Sequence, residues 1–223
     1  MEKKHSEEDF IAIAKQLCCP EGEHGIKTGE MMNVNNIGMT HSAIDDLNLQ
    51  NGEKVLEIGH GNAGYLAALF QKSPGVTFFG IDISETIVDE AKKINQQFTA
   101  TGKALFICSN GTNIPYQDAF FNKIFTVNTI YFWPDPIAYL KEINRVLKPS
   151  GSVSICFADK SFMQKLPFTP YGFKLYDTKD LQPMLEQAGF TINHITEKTE
   201  QIKSNAGFDV ERKYFVVSLS KKR

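Results

Sequence analysis

Three glycines and a carboxylate lie close together near position 60 of the chain. The stretch VLEIGHGNAG, residues 55–64, places Gly59, Gly61 and Gly64 in the spacing G-x-G-x-x-G, and Glu57 stands two residues before the first of them. Glycine lets a backbone turn approach a nucleotide closely, because a Cβ atom there would collide with the ligand. The spacing alone is a weak signal that fits dinucleotides and other adenosine cofactors alike.

Two acidic residues discriminate between these cofactors. Asp82 ends an apolar run 25 residues after Glu57, where a carboxylate accepts hydrogen bonds from the ribose of any adenosine cofactor. Glu57 is more selective, because a carboxylate repels a pyrophosphate in a low-dielectric cleft but attracts a sulfonium or an ammonium group. The charges therefore favour S-adenosylmethionine over NAD. The alternative interpretation of Glu57 is a carboxylate that caps the next helix.

Alternating strand and helix patterns surround the glycine turn. Strand patterns occupy residues 54–58, 76–83, 104–109, 122–127 and 151–157, and helical patterns occupy residues 63–72, 84–101 and 134–149. This alternation predicts a parallel sheet with its ligand site beyond the carboxyl ends of the strands. After a helical pattern at 178–189, two strand patterns at 190–199 and 212–221 follow each other without a helix between them. We therefore predict an α/β, Rossmann-like, doubly wound and mostly parallel sheet with an antiparallel C-terminal hairpin.

Residues 1–50 are predicted to be a helical segment with a lid loop, ahead of a cofactor-binding domain at 51–223. Ser6 is a candidate N-cap of a first helix. The stretch 18–36 is rich in glycine and asparagine and shows no periodicity, so we expect a long loop that covers the cofactor. A second helix is predicted at 39–49.

Four stretches of the chain resemble the motifs of class I S-adenosylmethionine-dependent methyltransferases, in their small-molecule branch and close to the type 11 methyltransferases. LEIGHGNAG resembles the first motif, GIDIS the acidic motif of the second strand, SNGTNIPYQDAFFNKIF the adenine-side segment, and EINRVLKPSGSVSI the turn into the fifth strand. The four cover about residues 55–157 in the order of the family. The resemblance implies a methyltransferase that uses S-adenosylmethionine and has an antiparallel last strand.

The resemblance also implies roles for individual residues. The glycine turn would lie against the methionine portion, Asp82 would bind the ribose, Ile83 would flank the adenine, and Asn128 would lie near the methyl donor. Many relatives have aspartate where this chain has Asn110, so either its amide oxygen accepts from the adenine amino group or Asn110 is a turn residue and Gly111 reads the ring. The implied cofactor-binding residues are Glu57, Gly59, His60, Gly61, Asn62, Asp82, Ile83, Asn110, Gly111, Thr112 and Asn128.

No catalytic residue is evident from the sequence. Methyl transfer is an in-line displacement at an activated carbon, so alignment and exclusion of water dominate, and a base is needed only when the acceptor loses a proton. His41 and Tyr131 are the candidates for such a base, although a lone histidine near a helix start is more often a surface residue. The candidate residues of the substrate pocket are Asn33, Tyr131, Trp133 and Tyr171.

A small-molecule acceptor is favoured over nucleic acid. Enzymes that methylate base amino groups typically carry [DN]-P-P-[YF] after the fourth strand, where this chain reads NTIY at 128–131, and the net charge of −2 provides no broad basic field. Two alternatives stay open: an NAD(P)-dependent oxidoreductase that uses the same glycines, and a non-catalytic cofactor-binding protein.

The cysteines and the N-terminus predict neither a metal site nor a membrane partner. Cys18 and Cys19 are adjacent and lack the spacing of a zinc site, and Cys108 and Cys156 fall in apolar strand patterns and are expected to be buried. The first residues contain no apolar signal-peptide core, and no apolar run approaches membrane-spanning length. A cytoplasmic protein is therefore expected.

Overall fold

A computed structural model describes residues 6–203 and 209–222 of the 223-residue chain. Seven strands form one sheet in the order β3-β2-β1-β4-β5-β7-β6. The first five strands are mutually parallel, whereas β7 runs antiparallel to β5 and to β6. The strands are β1 (Lys54–Ile58), β2 (Thr77–Asp82), β3 (Ala104–Cys108), β4 (Phe121–Val127), β5 (Leu147–Ala158), β6 (Phe190–Lys203) and β7 (Asp209–Lys221).

This strand order confirms the predicted α/β sheet with an antiparallel hairpin. It also separates the fold from the dinucleotide-binding order 3-2-1-4-5-6, because β7 is inserted between β5 and β6. The carboxyl ends of β1, β2 and β4 meet at one edge of the sheet, where the chain changes direction between β1 and β4. A ligand site is expected at that edge.

Eight α-helices accompany the sheet in the described part of the chain. They are α1 (Glu7–Cys18), α2 (Gly22–Leu47), α3 (Leu66–Lys72), α4 (Glu85–Ile94), α5 (Gln96–Thr99), α6 (Pro136–Val146), α7 (Lys160–Met163) and α8 (Thr178–Gln187). The predicted N-cap at Ser6 is confirmed, because Ser6 forms a capping box at α1. At α6 the Asp135 carboxylate accepts from the amide of Ala138. The predicted helix at 84–101 is divided at Asn95, whose side-chain amide donates to the carbonyl oxygen of Ala91.

The apolar core occupies both faces of the sheet. Neighbouring residues of one strand point to opposite faces, so Leu56 and Ile124 pack in one cluster with α6 and α8, whereas Val55 and Phe125 pack in the other cluster with α2, α3 and α4. Burial on both faces explains why these strands read as continuous apolar runs in the sequence. The helices thereby leave the carboxyl edge of the sheet open.

The prediction of a loop across residues 18–36 is wrong, because α2 begins at Gly22 and continues for 26 residues. Glycine and asparagine are weak helix formers, but packing overrides this preference here. A Cβ atom on Gly29 would lie 2.6 Å from the Cδ1 atom of Ile87 on α4, and one on Gly38 would collide with the carboxylate of Glu200 on β6. These glycines therefore allow α2 to pack closely against its neighbours.

The burial of Cys108 was also predicted incorrectly. Cys108 is exposed because it ends β3, which is an edge strand of the sheet. Cys156 is buried in the centre of β5, as expected. Across residues 6–203 and 209–222, no helix combines the length and the apolar character needed to cross a lipid bilayer.

Candidate active site

An open cleft of about 1160 Å³, counted up to its mouth, lies at the carboxyl edge of the sheet. One wall comes from α1 and α2. The other wall comes from the turns after β1, β2, β3 and β4. The site is therefore assembled from segments that are far apart in the sequence.

The charges in the cleft are all negative. Glu57 and Asp82 are the charged side chains of the lining, and no lysine or arginine is among the described residues that line it. A phosphate group inside the cleft would meet two acidic side chains and no cationic partner, whereas a sulfonium or an ammonium group would be attracted by Asp82 and, once it is ionised, by Glu57. The two acidic side chains therefore fit S-adenosylmethionine and disfavour a diphosphate cofactor.

Glu57 lies at the base of the cleft with its side chain buried. Burial raises the pKa of its carboxyl well above the usual value, a hydrogen bond from the hydroxyl of Tyr65 opposes the shift, and the nearby charge of Asp82 adds to it. The carboxyl therefore stays protonated more readily than the sequence suggested, and a cation in the cleft would favour its ionisation. Glu57 does not cap α3, whose N-cap is Tyr65 without a side-chain cap bond.

The glycine turn is shaped by left-handed backbone conformations. Gly59 has a φ of 72°, and a Cβ atom there would collide with the Cγ2 atom of Thr129. Gly61 has a φ of 54°, and a Cβ atom there would meet no protein atom within 4 Å, so the backbone is open towards the cleft. The Asp82 carboxylate accepts from the amides of Gly61 at 3.3 Å and Ser84 at 3.0 Å, which fixes it at the rim of the turn.

The side chains of His60 and Asn62 support the turn itself. The ring of His60 is buried, its Nδ1 lies 2.6 Å from the carbonyl oxygen of Gly61, and its plane meets Phe106 edge-on. Burial lowers the pKa of His60, so the ring is neutral and Nδ1 donates to the carbonyl. The Oδ1 atom of Asn62 accepts from the amide of Gly64.

The loop after β3 favours the turn interpretation of Asn110. Its Oδ1 atom accepts from the amides of Thr112 at 3.0 Å and Asn113 at 3.1 Å, so the side-chain oxygen is occupied within the loop. Gly111 and Ile83 line the cleft, with Gly111 at a φ of 72°. Thr112 bonds to Asn110 and does not line the cleft, so its implied role at the cofactor has no support in the structure.

Asn128 ends β4 in a left-handed conformation with a φ of 57° and lines the centre of the cleft. Its Oδ1 atom accepts from the amide of Ala158 and from the hydroxyl of Tyr131, both at 3.1 Å, and its Nδ2 atom donates to Asn36 at 3.1 Å. Tyr131 itself is buried behind Asn128 and does not line the cleft. Burial raises its pKa far above the usual value, so the structure disfavours Tyr131 both as a base and as a lining residue of the substrate pocket.

Two further candidates lie outside the cleft. His41 is half-buried on α2 and does not line the cleft, because one helical step of about 100° separates it from Thr40, which does. Tyr171 follows α7 and bonds to Glu7 of α1 instead of contacting the cleft. Neither residue is in position to contact an acceptor there.

Asn33 and Trp133 do line the cleft. They are joined by residues that the sequence did not single out, among them Asn36 and Thr40. Asn36 and Thr40 lie four residues apart, so they share one face of α2. If α2 had been predicted as a helix, this four-residue spacing would have placed Asn36 and Thr40 together on one face.

Comparisons with known proteins agree with this geometry. Residues 56–155 match the sequence profile of a methyltransferase domain family. The uncharacterized methyltransferase YdaC of Bacillus subtilis is 28% identical over 127 residues, which cover 57% of this chain and 68% of that protein. The demethylmenaquinone methyltransferase of Staphylococcus saprophyticus is 26% identical over 178 residues, which cover 73% of each chain.

The fold also has counterparts among solved structures. A chain from the complex between the Haloferax volcanii Trm112 methyltransferase activator and a methyltransferase superposes with a TM-score of 0.75 at 17% identity, covering 89% of this chain and 94% of that chain. A likeness at this identity concerns the fold. The family match, the strand order and a cleft that suits a cationic cofactor all agree. The domain match over residues 56–155, the relatives and the fold together support the assignment of this chain to the class I S-adenosylmethionine-dependent methyltransferases.

Proposed function

We propose that this methyltransferase acts on a small, uncharged acceptor with an apolar body. The observation that carries the proposal is the composition of the cleft. Met32, Phe132, Trp133 and Pro134 give it apolar surface, and no described lining residue is cationic. Phosphorylated acceptors and nucleic acid would need basic partners. The relative named for demethylmenaquinone, a quinone, is consistent with an apolar acceptor.

In this proposal the cofactor lies along the turns at the carboxyl edge of the sheet. Asp82 accepts hydrogen bonds from the ribose hydroxyls, while Ile83 and Gly111 flank the adenine. The methionine portion lies against the turn that begins at Gly59. In support, Gly61 has open space where a Cβ atom would stand, and Asp82 is already oriented by two backbone amides.

The chemistry places few demands on the protein beyond alignment. When bound, S-adenosylmethionine supplies a methyl group on a sulfonium leaving group. The residues of α1 and α2 then cover the cleft and exclude water, and the apolar side chains orient the acceptor. Among the described lining residues, Glu57 and His60 are two candidates for a base, and both are engaged in internal hydrogen bonds. We therefore propose catalysis by alignment, without a dedicated base.

Transfer of labelled methyl groups into a metabolite extract tests this function. The extract is incubated with the purified chain and methyl-labelled S-adenosylmethionine, then divided into an organic-soluble fraction and a macromolecular fraction. We expect label in the organic-soluble fraction. His41→Ala serves as the matched control that keeps activity, because this side chain lies outside the cleft.

Other distributions of label would contradict the proposal. If label appeared only in RNA or protein, the methyl acceptor would be a macromolecule and not a small molecule. If the chain bound S-adenosylhomocysteine but transferred no label, a non-catalytic cofactor-binding protein would be favoured.

A further inference from the structure

The side-chain oxygen of Asn36 is held by two donors. It accepts from Nη1 of Arg212 at 3.0 Å and from Nδ2 of Asn128 at 3.1 Å. Asn36 lies on α2 and lines the cleft, whereas Arg212 lies on β7 and is 5% exposed. The guanidinium group thus reaches from the C-terminal hairpin to a residue of the cleft wall.

The orientation of the Asn36 amide follows from groups that can only donate. The backbone N–H of Ala158 donates to Oδ1 of Asn128, so the other end of the Asn128 side chain is its amino group. That amino group and the guanidinium of Arg212 both require an oxygen acceptor, which identifies Oδ1 of Asn36. The amino group of Asn36 therefore occupies the remaining end, and no described residue accepts a hydrogen bond from it.

Arg212 is itself fixed in place. Its Nε and Nη2 atoms donate to one carboxylate oxygen of Glu200 at 3.0 and 2.7 Å, and Nη2 also donates to the carbonyl oxygen of Asn35. The hairpin can approach α2 this closely because Gly38 has no side chain that would collide with Glu200. A charge-assisted network of this kind holds the Asn36 amide in one orientation.

We propose that Asn36 determines acceptor specificity: its amino group donates a hydrogen bond to an oxygen atom of the methyl acceptor, and Arg212 is its positioning residue. The inference rests on the proposed function, and it narrows the acceptor to an oxygenated molecule with a carbonyl, enol or phenol group. A hydrogen-bond donor in an apolar cleft favours a ligand that supplies the acceptor atom, because an unpaired polar group there is unfavourable.

Two probes of the same shape test this contact. Indane and 1-indanone share a bicyclic frame, and only 1-indanone carries a carbonyl oxygen. Their affinities for the full chain saturated with S-adenosylhomocysteine are measured by ligand-observed NMR. We expect 1-indanone to bind about three- to tenfold more tightly than indane, as one neutral hydrogen bond allows.

Asn36→Asp is the decisive variant. Aspartate still accepts the bonds from Arg212 and Asn128 but has no N–H group to donate, so the preference for 1-indanone should disappear. Asn35→Asp introduces the same charge on a neighbouring side chain that does not line the cleft, and it should keep the preference. Arg212→Lys should weaken the preference, while the affinity for S-adenosylhomocysteine stays within about twofold in all three variants.

The remaining outcomes are distinguishable. Equal binding of the two probes by the unaltered chain would overturn the role of Asn36 and leave an apolar acceptor site in place. If neither probe bound while S-adenosylhomocysteine did, the proposed acceptor site would fail together with this inference. A loss of S-adenosylhomocysteine affinity in Asn36→Asp, with the probe preference retained, would assign the amino group to the cofactor carboxylate and overturn the proposal.

Discussion

The hydroxyl group of Tyr65 donates a hydrogen bond to the buried carboxyl group of Glu57 at the base of the cleft. Desolvation outweighs this bond and raises the pKa of Glu57. A protonated carboxyl has no charge to offer a sulfonium group, so binding of the cationic cofactor favours loss of that proton. We therefore expect cofactor binding and proton release to be linked.

We expect the affinity for S-adenosylmethionine to rise with pH. At low pH the free protein holds a proton on Glu57 that the cation must displace, and this penalty vanishes once the pH exceeds the raised pKa. Calorimetry between about pH 6 and pH 9, in buffers of different ionisation enthalpy, measures both the affinity and the protons released. Glu57→Gln should flatten the pH dependence, and an unchanged slope in this variant would assign the linkage to another group.

Gly59→Ala should weaken cofactor binding without unfolding the chain. The alanine must adopt a φ of 72° and place its Cβ atom against the Cγ2 atom of Thr129. We expect S-adenosylhomocysteine affinity to fall at least about tenfold. Gly52→Ala is the matched control, because Gly52 has a φ of 83° but open space around its Cβ position, far from the cleft.

The clash can be separated from the backbone strain by a second change. Thr129→Ser removes the Cγ2 atom, so the double variant with Gly59→Ala should recover part of the lost affinity. No recovery in the double variant would show that strain, and not contact with Thr129, limits position 59.

Trp133 should report occupancy of the cleft. It is the one tryptophan of the chain, it is 5% exposed, and it lines the cleft. We expect its fluorescence to change on titration with S-adenosylmethionine, with a midpoint that matches the calorimetric affinity. Trp133→Phe should bind the cofactor within about twofold but give no signal. If the chain bound the cofactor without a change in Trp133 fluorescence, the ligand would lie elsewhere.

Tyr131→Phe should lower stability without changing how activity depends on pH. The buried hydroxyl bonds to Asn128 and to the backbone of Ala158, so its loss should cost about 1–3 kcal/mol in urea unfolding. The pH profile of methyl transfer should keep its shape because the residue does not titrate in the cleft. If the variant lost a rise of activity with increasing pH that the unaltered chain shows, Tyr131 would be restored as a general base.

The sheet and its open edge were predictable from the sequence because their causes are local. Strands buried on both faces leave apolar runs, and the turns that follow them carry glycine, as after Ile58, or a cap, as at Asp135 with Pro136. Each signal lies within a few residues of the element that it defines. Asp82 and the glycine turn could therefore be assigned to the same edge.

Other features depend on partners that are distant in the sequence. The helix α2 forms despite its glycines because Ile87 and Glu200 occupy the space that side chains would need. Tyr131 follows a strand end as a pocket residue would, but its hydroxyl turns back to Ala158. Local patterns contain no information about either contact, so a helix was predicted as a loop and a buried tyrosine as a pocket residue.

The bond between Arg212 and Asn36 joins residues that are 176 positions apart. Ribosomes add roughly 5–20 residues per second, so about 9 to 35 seconds pass between the synthesis of Asn36 and that of Arg212, which orients its side chain. Throughout that interval a glycine-rich helix of low intrinsic propensity lacks one of the contacts that hold it. The cleft wall at Asn36 is thus completed late in synthesis, and a translational pause before the hairpin would leave α2 without this contact for longer.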